Sequence, residues 1–402
     1  MKIRILFNLL LLLSGLPALA AGEADSIRVS VLTARAGADI YQLEGHTALR
    51  IQDPVRGDYV VNWGLFDFNS PNFVYRFVKG ETDYMAGAAP TEYFLRMYER
   101  EGRAVIEQTL NLTPEEKERI ITLTDTNLLP QNRVYRYNYV LDNCATRPLA
   151  IIERAIGDTI ALGATSLPIE ATGTFRNAMR HYHANYPWYQ FGIDLALGSG
   201  IDRPISLRGM SFSPEALEEM LSTARHPADG REIAGATRVL VGDPARSAIL
   251  GPTPWYLTPM FWSCVVLALA LGLSFRQYRR GRAGTAAKIF DTLFLSLMGL
   301  TGCVLVFLVF VSVHEATSPN WLLLWLNPLC FVGAVAIWVK RAENLLVSYQ
   351  IVNFALLIVL LLIFAFGVQS PNPAFIPLIA ADGVRALSCI STYRKCHPAK
   401  AV

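Results

Sequence analysis

Residues 255–275, WYLTPMFWSCVVLALALGLSF, decide the class of this chain. They carry no charge, and at about 1.5 Å of helical rise per residue they are long enough to cross the roughly 30 Å hydrocarbon core of a bilayer. The loop that follows is basic, with Arg276, Arg279, Arg280, Arg282 and Lys288. Further apolar stretches recur at residues 290–313, 321–339 and 349–368. A weaker one at 375–390 contains Asp382 and Arg385, charges that are costly at mid-bilayer unless paired or turned toward a bundle interior. The expectation is therefore a transmembrane domain over residues 251–402 with four or five helices, the fifth having an amphipathic surface segment as its other reading.

Lysine and arginine orient these spans. Lys340 and Arg341 follow the third stretch, and Arg394, Lys395 and Lys400 lie in the tail, whereas residues 312–320 and 369–372 hold neither residue type. The basic loops are expected in the cytoplasm, which places everything before residue 251 outside it. The N-terminus agrees. Lys2 and Arg4 precede an apolar run at 5–16 and then Ala18-Leu19-Ala20, the pattern of a signal peptide over residues 1–20, with an uncleaved anchor as the alternative. The net charge of +3 is largely explained by the cytoplasmic loops, so it makes no case for nucleic acid.

Residues 21–250 have the composition of a globular domain. Alternating, β-branched stretches at 26–34, 47–52, 58–64 and 103–112 predict strands, the middle pair joined by the turn residues 53–57. Thr113, Pro114 and Glu116 form a helix start with a capping box, Ser213-Pro214-Glu215 starts another helix, and Leu149, Ile152 and Ile156 make an apolar stripe over 145–156. The fold class is α+β with a mainly antiparallel sheet, and residues 225–251, rich in Gly, Pro and Ala, read as the link to the membrane.

Six cysteines occur, at 144, 264, 303, 330, 389 and 396, and Cys144 alone lies in the exported region. A lone thiol in an oxidising compartment points to a reactive group, against the plain alternative of a small buried hydrophobe. Tyr139-Val140-Leu141-Asp142-Asn143-Cys144-Ala145-Thr146-Arg147 sets that thiol where an extended segment becomes a helix, with Asp142 or Asn143 as cap. The free N–H groups of a helix start favour a thiolate and an oxyanion. Pro148 keeps Cys144 at the tip.

A thiol nucleophile needs a base, and upstream of the link the candidates are His46, His181 and His183. A hairpin across residues 53–57 would bring Asn62 beside His46, which supplies base and orienter from adjacent strands. His181 and His183 form an H-x-H pair with no third ligand nearby, so no metal is expected, and no cofactor fingerprint or phosphate loop occurs.

A strand histidine, a polar residue on the next strand and then Asn-Cys at a helix tip resemble the circularly permuted NlpC-type, papain-like fold, including the lecithin retinol acyltransferase group. A closer resemblance spans nearly the whole chain. Glu44-Gly45-His46-Thr47-Ala48, Asn62-Trp63-Gly64, Tyr137-Asn138-Tyr139, Asp142 through Pro148, Phe212-Ser213-Pro214 and residues 314–329 look like the Lnb-type lipoprotein N-acyltransferases.

That resemblance implies a multi-pass protein of the bacterial inner membrane with a periplasmic N-terminal domain. The implied reaction moves a fatty acyl chain from a phospholipid, through a cysteine thioester, to the α-amino group of the diacylglyceryl-cysteine of a bacterial lipoprotein. Carried onto this sequence, Cys144 is the nucleophile and His46 the base; Asn62 as third member comes from the hairpin. Asp142, Asn143 and Arg147 are candidates for substrate or oxyanion contact, and His314, Trp321 and Trp325 for a shielded mouth, their other reading being an ordinary loop and an interfacial aromatic belt. The alternatives are an NlpC-type hydrolase acting on peptidoglycan or phospholipid, and a non-enzymatic receptor or assembly factor.

Overall fold

The computed structural model describes residues 26–168, 172–246 and 248–397. The expected signal segment, residues 1–20, and Lys400 lie outside them. The described chain divides into two units: residues up to Phe77 with Glu81–Gly173 and Ile205–Leu250, and Val78–Gly80 with Thr174–Pro204 and the residues from Gly251 onward.

Side-chain alternation builds the first unit. Along β1 (Arg28–Ala34), Val29 and Val31 join one core while Leu32 and Ala34 join another, so the strand is buried on both faces. β2 (His46–Asp53) and β3 (Gly57–Leu65) form the expected hairpin. Its turn is closed by Asp53, whose Oδ1 accepts from the Val55 and Arg56 N–H groups at 2.8 and 3.2 Å, and by Gly57 at φ +92°. After α1 (Phe73–Lys79) come β4 (Tyr84–Pro90), α2 (Thr91–Arg100), β5 (Val105–Leu110) and α3 (Pro114–Leu128). Then follow β6 (Val134–Tyr135), α4 (Thr146–Ile156), α5 (Phe175–Tyr182), α6 (Pro187–Ala196), α7 (Pro214–Ser222) and β7 (Ala234–Val241).

The seven strands run β6-β4-β3-β2-β1-β5-β7, each antiparallel to its neighbours. One face of the sheet carries α3, α4 and α7, with Trp63, Leu49, Ile51, Ile120, Ile152 and Leu217 essentially sealed from solvent. Burying each such side chain contributes on the order of 1.5–3 kcal/mol. The other face carries α2, whose Phe94 and Tyr98 pack on Leu32, Ala48 and Val60. The capping box of α3 is present, with Glu116 N donating to Thr113 Oγ1 and Thr113 N donating to Glu116 Oε2. β7 lies in the stretch read as a link, where it extends the sheet by pairing with β5.

In the second unit, α8 (Pro259–Arg280), α9 (Thr285–Phe310), α11 (Glu343–Ala365) and α12 (Phe375–Cys396) belong to the four spans long and apolar enough to cross a membrane. One sequence expectation is corrected here. The stretch 321–339 is not a continuous helix: a 3-10 turn at Trp321–Leu324 leads to the short α10 (Cys330–Ala336). Pro328 has no N–H to give a helix arriving from residue 324, and the Asn327 backbone instead passes so close to Gly302 that a Cβ there would stand 2.4 Å from the Asn327 Cα.

The weak fifth stretch is a full 22-residue helix, α12. Its charges turn inward: Arg385 makes a two-pronged pair with Asp291 (2.6 and 2.8 Å) and Asp382 accepts from Asn353 Nδ2 at 3.0 Å.

Residues 174–204 form a polar collar on this unit. Arg176, 1% exposed, bonds Asp194, Asp202 and the carbonyls of Leu197 and Gly198. Arg180 donates to the Ser370 hydroxyl and the Pro371 carbonyl, and Asn320 Nδ2 donates to the Leu195 carbonyl. The two loops without Lys or Arg are thus held by α5 and α6.

Candidate active site

The β2–β3 ladder makes its last pair at Ala48 and Asn62. One turn of the pleat earlier on β2, His46 lies on the same face as Ala48, over the Tyr98 ring of α2 (6.5 Å, 22° between planes). Its Nε2 is 3.2 Å from Asn62 Oδ1. The amide oxygen only accepts, so Nε2 carries the proton and Nδ1 keeps the lone pair. The orienting contact expected across the hairpin is therefore present.

Cys144 sits just before α4. The local cause is Asn143, whose amide is fully used: Nδ2 donates to the Tyr139 and Phe212 carbonyls, both at 2.8 Å, and Oδ1 accepts from Ala145 N and Thr146 N at 2.8 and 3.0 Å. That clamp ties the preceding turn, the helix start and the residue before Ser213 to one point, and Cys144 is the next residue along. Asp142 and Arg147 form a bidentate pair (2.6 and 2.7 Å), with the guanidinium 3.3 Å over the Tyr135 ring. These two groups therefore hold each other and Tyr135 beside the helix that follows Cys144.

The thiol lies against the start of β2. Burial pushes the thiol up, outweighing hydrogen bonds from the Thr47 backbone, the Tyr137 hydroxyl and its own backbone N–H, and the Arg103 guanidinium, all of which favour its charged form. Burial likewise drives His46 down to about 4, with the Asn62 hydrogen bond opposing. His46 and Cys144 share neighbours: Thr47 follows His46 in the chain, and Arg103 acts on both groups while capping the Tyr98 ring at 4.7 Å. At neutral pH the pair rests as thiol and neutral imidazole.

Room for this arrangement comes from Gly64, at φ +90°. A Cβ there would stand 3.2 Å from the Tyr137 ring and 3.9 Å from the Cys144 Cβ.

Three neighbours were not singled out from the sequence. Tyr137 contacts the thiol. Glu44 is pushed up to about 8 by burial, against a hydrogen bond with Tyr139, and the Cys144 charge raises it further. Arg103 is 4% exposed, bonded to the Arg35 carbonyl (2.7 Å) and Glu101 (2.9 Å), with its Nη2 left without a partner. Glu44 and Tyr137 stand inside the motifs quoted above, so their chemistry was in view; nothing in the pattern around Arg103 marks it.

His314 and Trp321 belong to the second unit. There the His314 carbonyl accepts from Thr317 Oγ1 and the Trp321 N–H donates to Gln369 Oε1, both at 2.8 Å, while Trp325 is 2% exposed. His183 is buried against Gln190 at 2.7 Å and His181 lies apart from it, so the H-x-H pair does not converge. Among the described residues no group of three or more His, Cys, Asp or Glu side chains is placed to hold a metal.

Two family domains match the chain: the Lnb N-terminal periplasmic domain over residues 18–180 and the Lnb transmembrane domain over residues 252–396. Neither a curated protein nor a solved structure matches it. Both parts in their order, together with the four apolar helices, identify the chain as a member of the Lnb family, a multi-pass membrane protein with a periplasmic N-terminal domain.

Proposed function

We propose that this chain is a thiol-dependent lipoprotein N-acyltransferase of the inner membrane, built on a permuted papain-like domain over residues 21–250, with residues 251–402 as its membrane domain. The observation that carries the reading is the buried Cys144 thiol at a helix start, against the strand that presents His46 and its Asn62 partner. Phospholipid is the acyl donor and a diacylated lipoprotein the acceptor.

In the first half-reaction His46 Nδ1 takes the thiol proton as Sγ attacks the ester carbonyl. The Thr47 N–H and the N–H of Cys144 itself, both hydrogen-bonded to the sulfur, are offered to the oxyanion as it develops beside it. Collapse expels the lysophospholipid alkoxide, which leaves with the proton from His46, and a thioester remains. In the second, the unprotonated α-amine attacks the thioester, His46 takes the amine's proton, and the thiol is restored. One ester and one amine give one amide and one lysophospholipid. The dryness that raises the thiol also limits water, which favours transfer over hydrolysis.

The test is mass spectrometry of lipoprotein N-termini in cells depleted of their essential N-acyltransferase. With this protein the N-termini become triacylated; with Cys144→Ser or His46→Ala, present in the membrane at equal level, they keep a free amine. Free amines in the presence of the unaltered protein sink the reading.

A further inference from the structure

A row of aromatic rings leads away from Cys144. Tyr137, in contact with the thiol, stacks on Tyr84 at 4.6 Å; Tyr84 meets Phe66 at 5.1 Å; Phe66 meets Phe73 at 5.8 Å and Phe68 at 4.7 Å; Phe73 stacks on Phe77 at 5.8 Å. The row ends in the open. Phe68 is 61% exposed, Val74 72%, Tyr75 54% and Phe77 46%, and α1 has no buried residue although most of its side chains are apolar. An exposed strip of this density on a domain with two sealed cores marks a binding surface.

The strip is also held stiffly. Arg76 donates to the Glu81 carbonyl (2.9 Å) and to Asp83 (2.6 Å), and Arg136 donates to the other oxygen of Asp83 (2.7 Å). α1 is therefore fixed against the strand that carries Tyr84. A fixed apolar row running from a nucleophile to the surface suits a long, unbranched chain whose reacting end must stop at the sulfur.

We propose that Phe66, Phe68, Phe73 and Phe77, with Tyr84 and Tyr137, seat the long acyl chain of the donor; that the chain comes from a phospholipid rests on the acyltransferase reading. Continuity with the nucleophile names the occupant: four ring-to-ring steps lie between Tyr137, which contacts the thiol, and Phe77, so an acyl group joined to the Cys144 sulfur begins at the head of the row. The strip then selects for chain length, because each methylene laid on it leaves water, a gain that a short chain forgoes.

The experiment uses the full chain in detergent and does not require turnover. Cys144 is modified by alkyl methanethiosulfonates, which form a mixed disulfide and release methanesulfinate, with methyl and hexadecyl reagents compared and the Cys144 peptide quantified by mass. Phe68→Ser and Phe77→Ser, both at exposed positions, and Phe73→Ala are each taken as a ratio to the unaltered protein. The expected result is at least a tenfold fall in the hexadecyl rate for Phe73→Ala, and a smaller fall for the two exposed variants, with the methyl rate within twofold. Equal ratios for the two reagents, whether both unchanged or both reduced, overturn the proposal. Failure of the unaltered protein to form a thioester from phospholipid sinks the acyltransferase reading instead, whatever the reagents show.

Discussion

Replacing Asn62 by Asp tests the orienting contact directly. The side chains are nearly isosteric, so the 3.2 Å approach to His46 Nε2 is kept while a neutral acceptor becomes an anion. A unit charge about 4 Å from the imidazolium at an effective dielectric near 20 is worth about 4 kcal/mol, or about 3 pKa units. Asn62 is 8% exposed, so the new carboxylate loses hydration and the net gain is about 1–2 units. His46, held at about 4 by burial, moves up by that amount. The assay is the pH dependence of Cys144 alkylation by iodoacetamide, read on the Cys144 peptide. The acid limb shifts to higher pH by about 1–2 units in Asn62→Asp, and the rate at pH 7 rises because the still neutral imidazole is a stronger base toward the thiol. Asn62→Ala does the reverse: losing a neutral hydrogen bond of about 1 kcal/mol and the ring's orientation lowers phospholipid-dependent acylation about tenfold. Identical acid limbs in all three proteins would refute Asn62 as the partner that tunes His46.

Glu44 and His46 give opposite stability slopes with pH. The folded-state pKa of Glu44 is raised from 4.5 to about 8, so its contribution is fully present below pH 4.5 and is lost as pH rises to about 8; His46, lowered from 6.5 to about 4, contributes above pH 6.5 and loses that as pH falls to about 4. Glu44→Gln therefore removes a decline of about 3–4 kcal/mol between pH 5 and 8, seen as a melting temperature about 6–15 °C less pH-sensitive than that of the unaltered protein; parallel curves count against it. In the collar, Arg176→Met strands the Asp202 carboxylate, whose side chain is 4% exposed, and leaves the buried Asp194 to Arg180 and Asn372 alone, which costs about 3–5 kcal/mol in thermal unfolding. Arg176→Lys recovers less than half, since an ammonium cannot reach both carboxylates and both carbonyls at once; full recovery by lysine would show that charge alone matters there.

The elements legible in the sequence are those whose signal is local. The β2–β3 hairpin follows from alternation and the turn at Asp53–Gly57, and α3 from its capping box, because neighbours in sequence make those contacts. β7 was hidden because AGATRVLV is an exposed edge strand with little alternation, stabilised by β5 more than a hundred residues earlier. Hydropathy counts side chains and not partners, which misled it on one membrane segment and weakened its signal on another. It passed 321–339, which Pro328 and Asn327 break against Gly302, and it penalised 375–390, where Arg385 and Asp382 are matched by Asp291 and Asn353. Around the nucleophile, Asn62 was found through the hairpin, whereas Arg103 reaches the thiol from a loop with no pattern to announce it.

Burial moves Cys144, His46 and Glu44 all toward their neutral forms, and this has a chemical consequence. A standing thiolate in an oxidising compartment would be spent on disulfides and sulfenic acid, since it is the thiolate that reacts. A neutral thiol is spared, and in the proposed acyl transfer the charge then appears only when an ester carbonyl is in place to receive it. Fixed donors suit that moment: the Thr47 N–H and the Tyr137 hydroxyl already point at the sulfur and need no reorganisation as charge develops there. Each half-reaction then begins and ends with no net charge in the cavity, so the cost of desolvating an ion is met only along the reaction path. Opening the site to water would lower the thiol toward its ordinary value and make it more reactive to small electrophiles, while weakening its preference for an amine over water. Reactivity and transfer fidelity are set in opposite directions by the same variable, the dryness around Cys144.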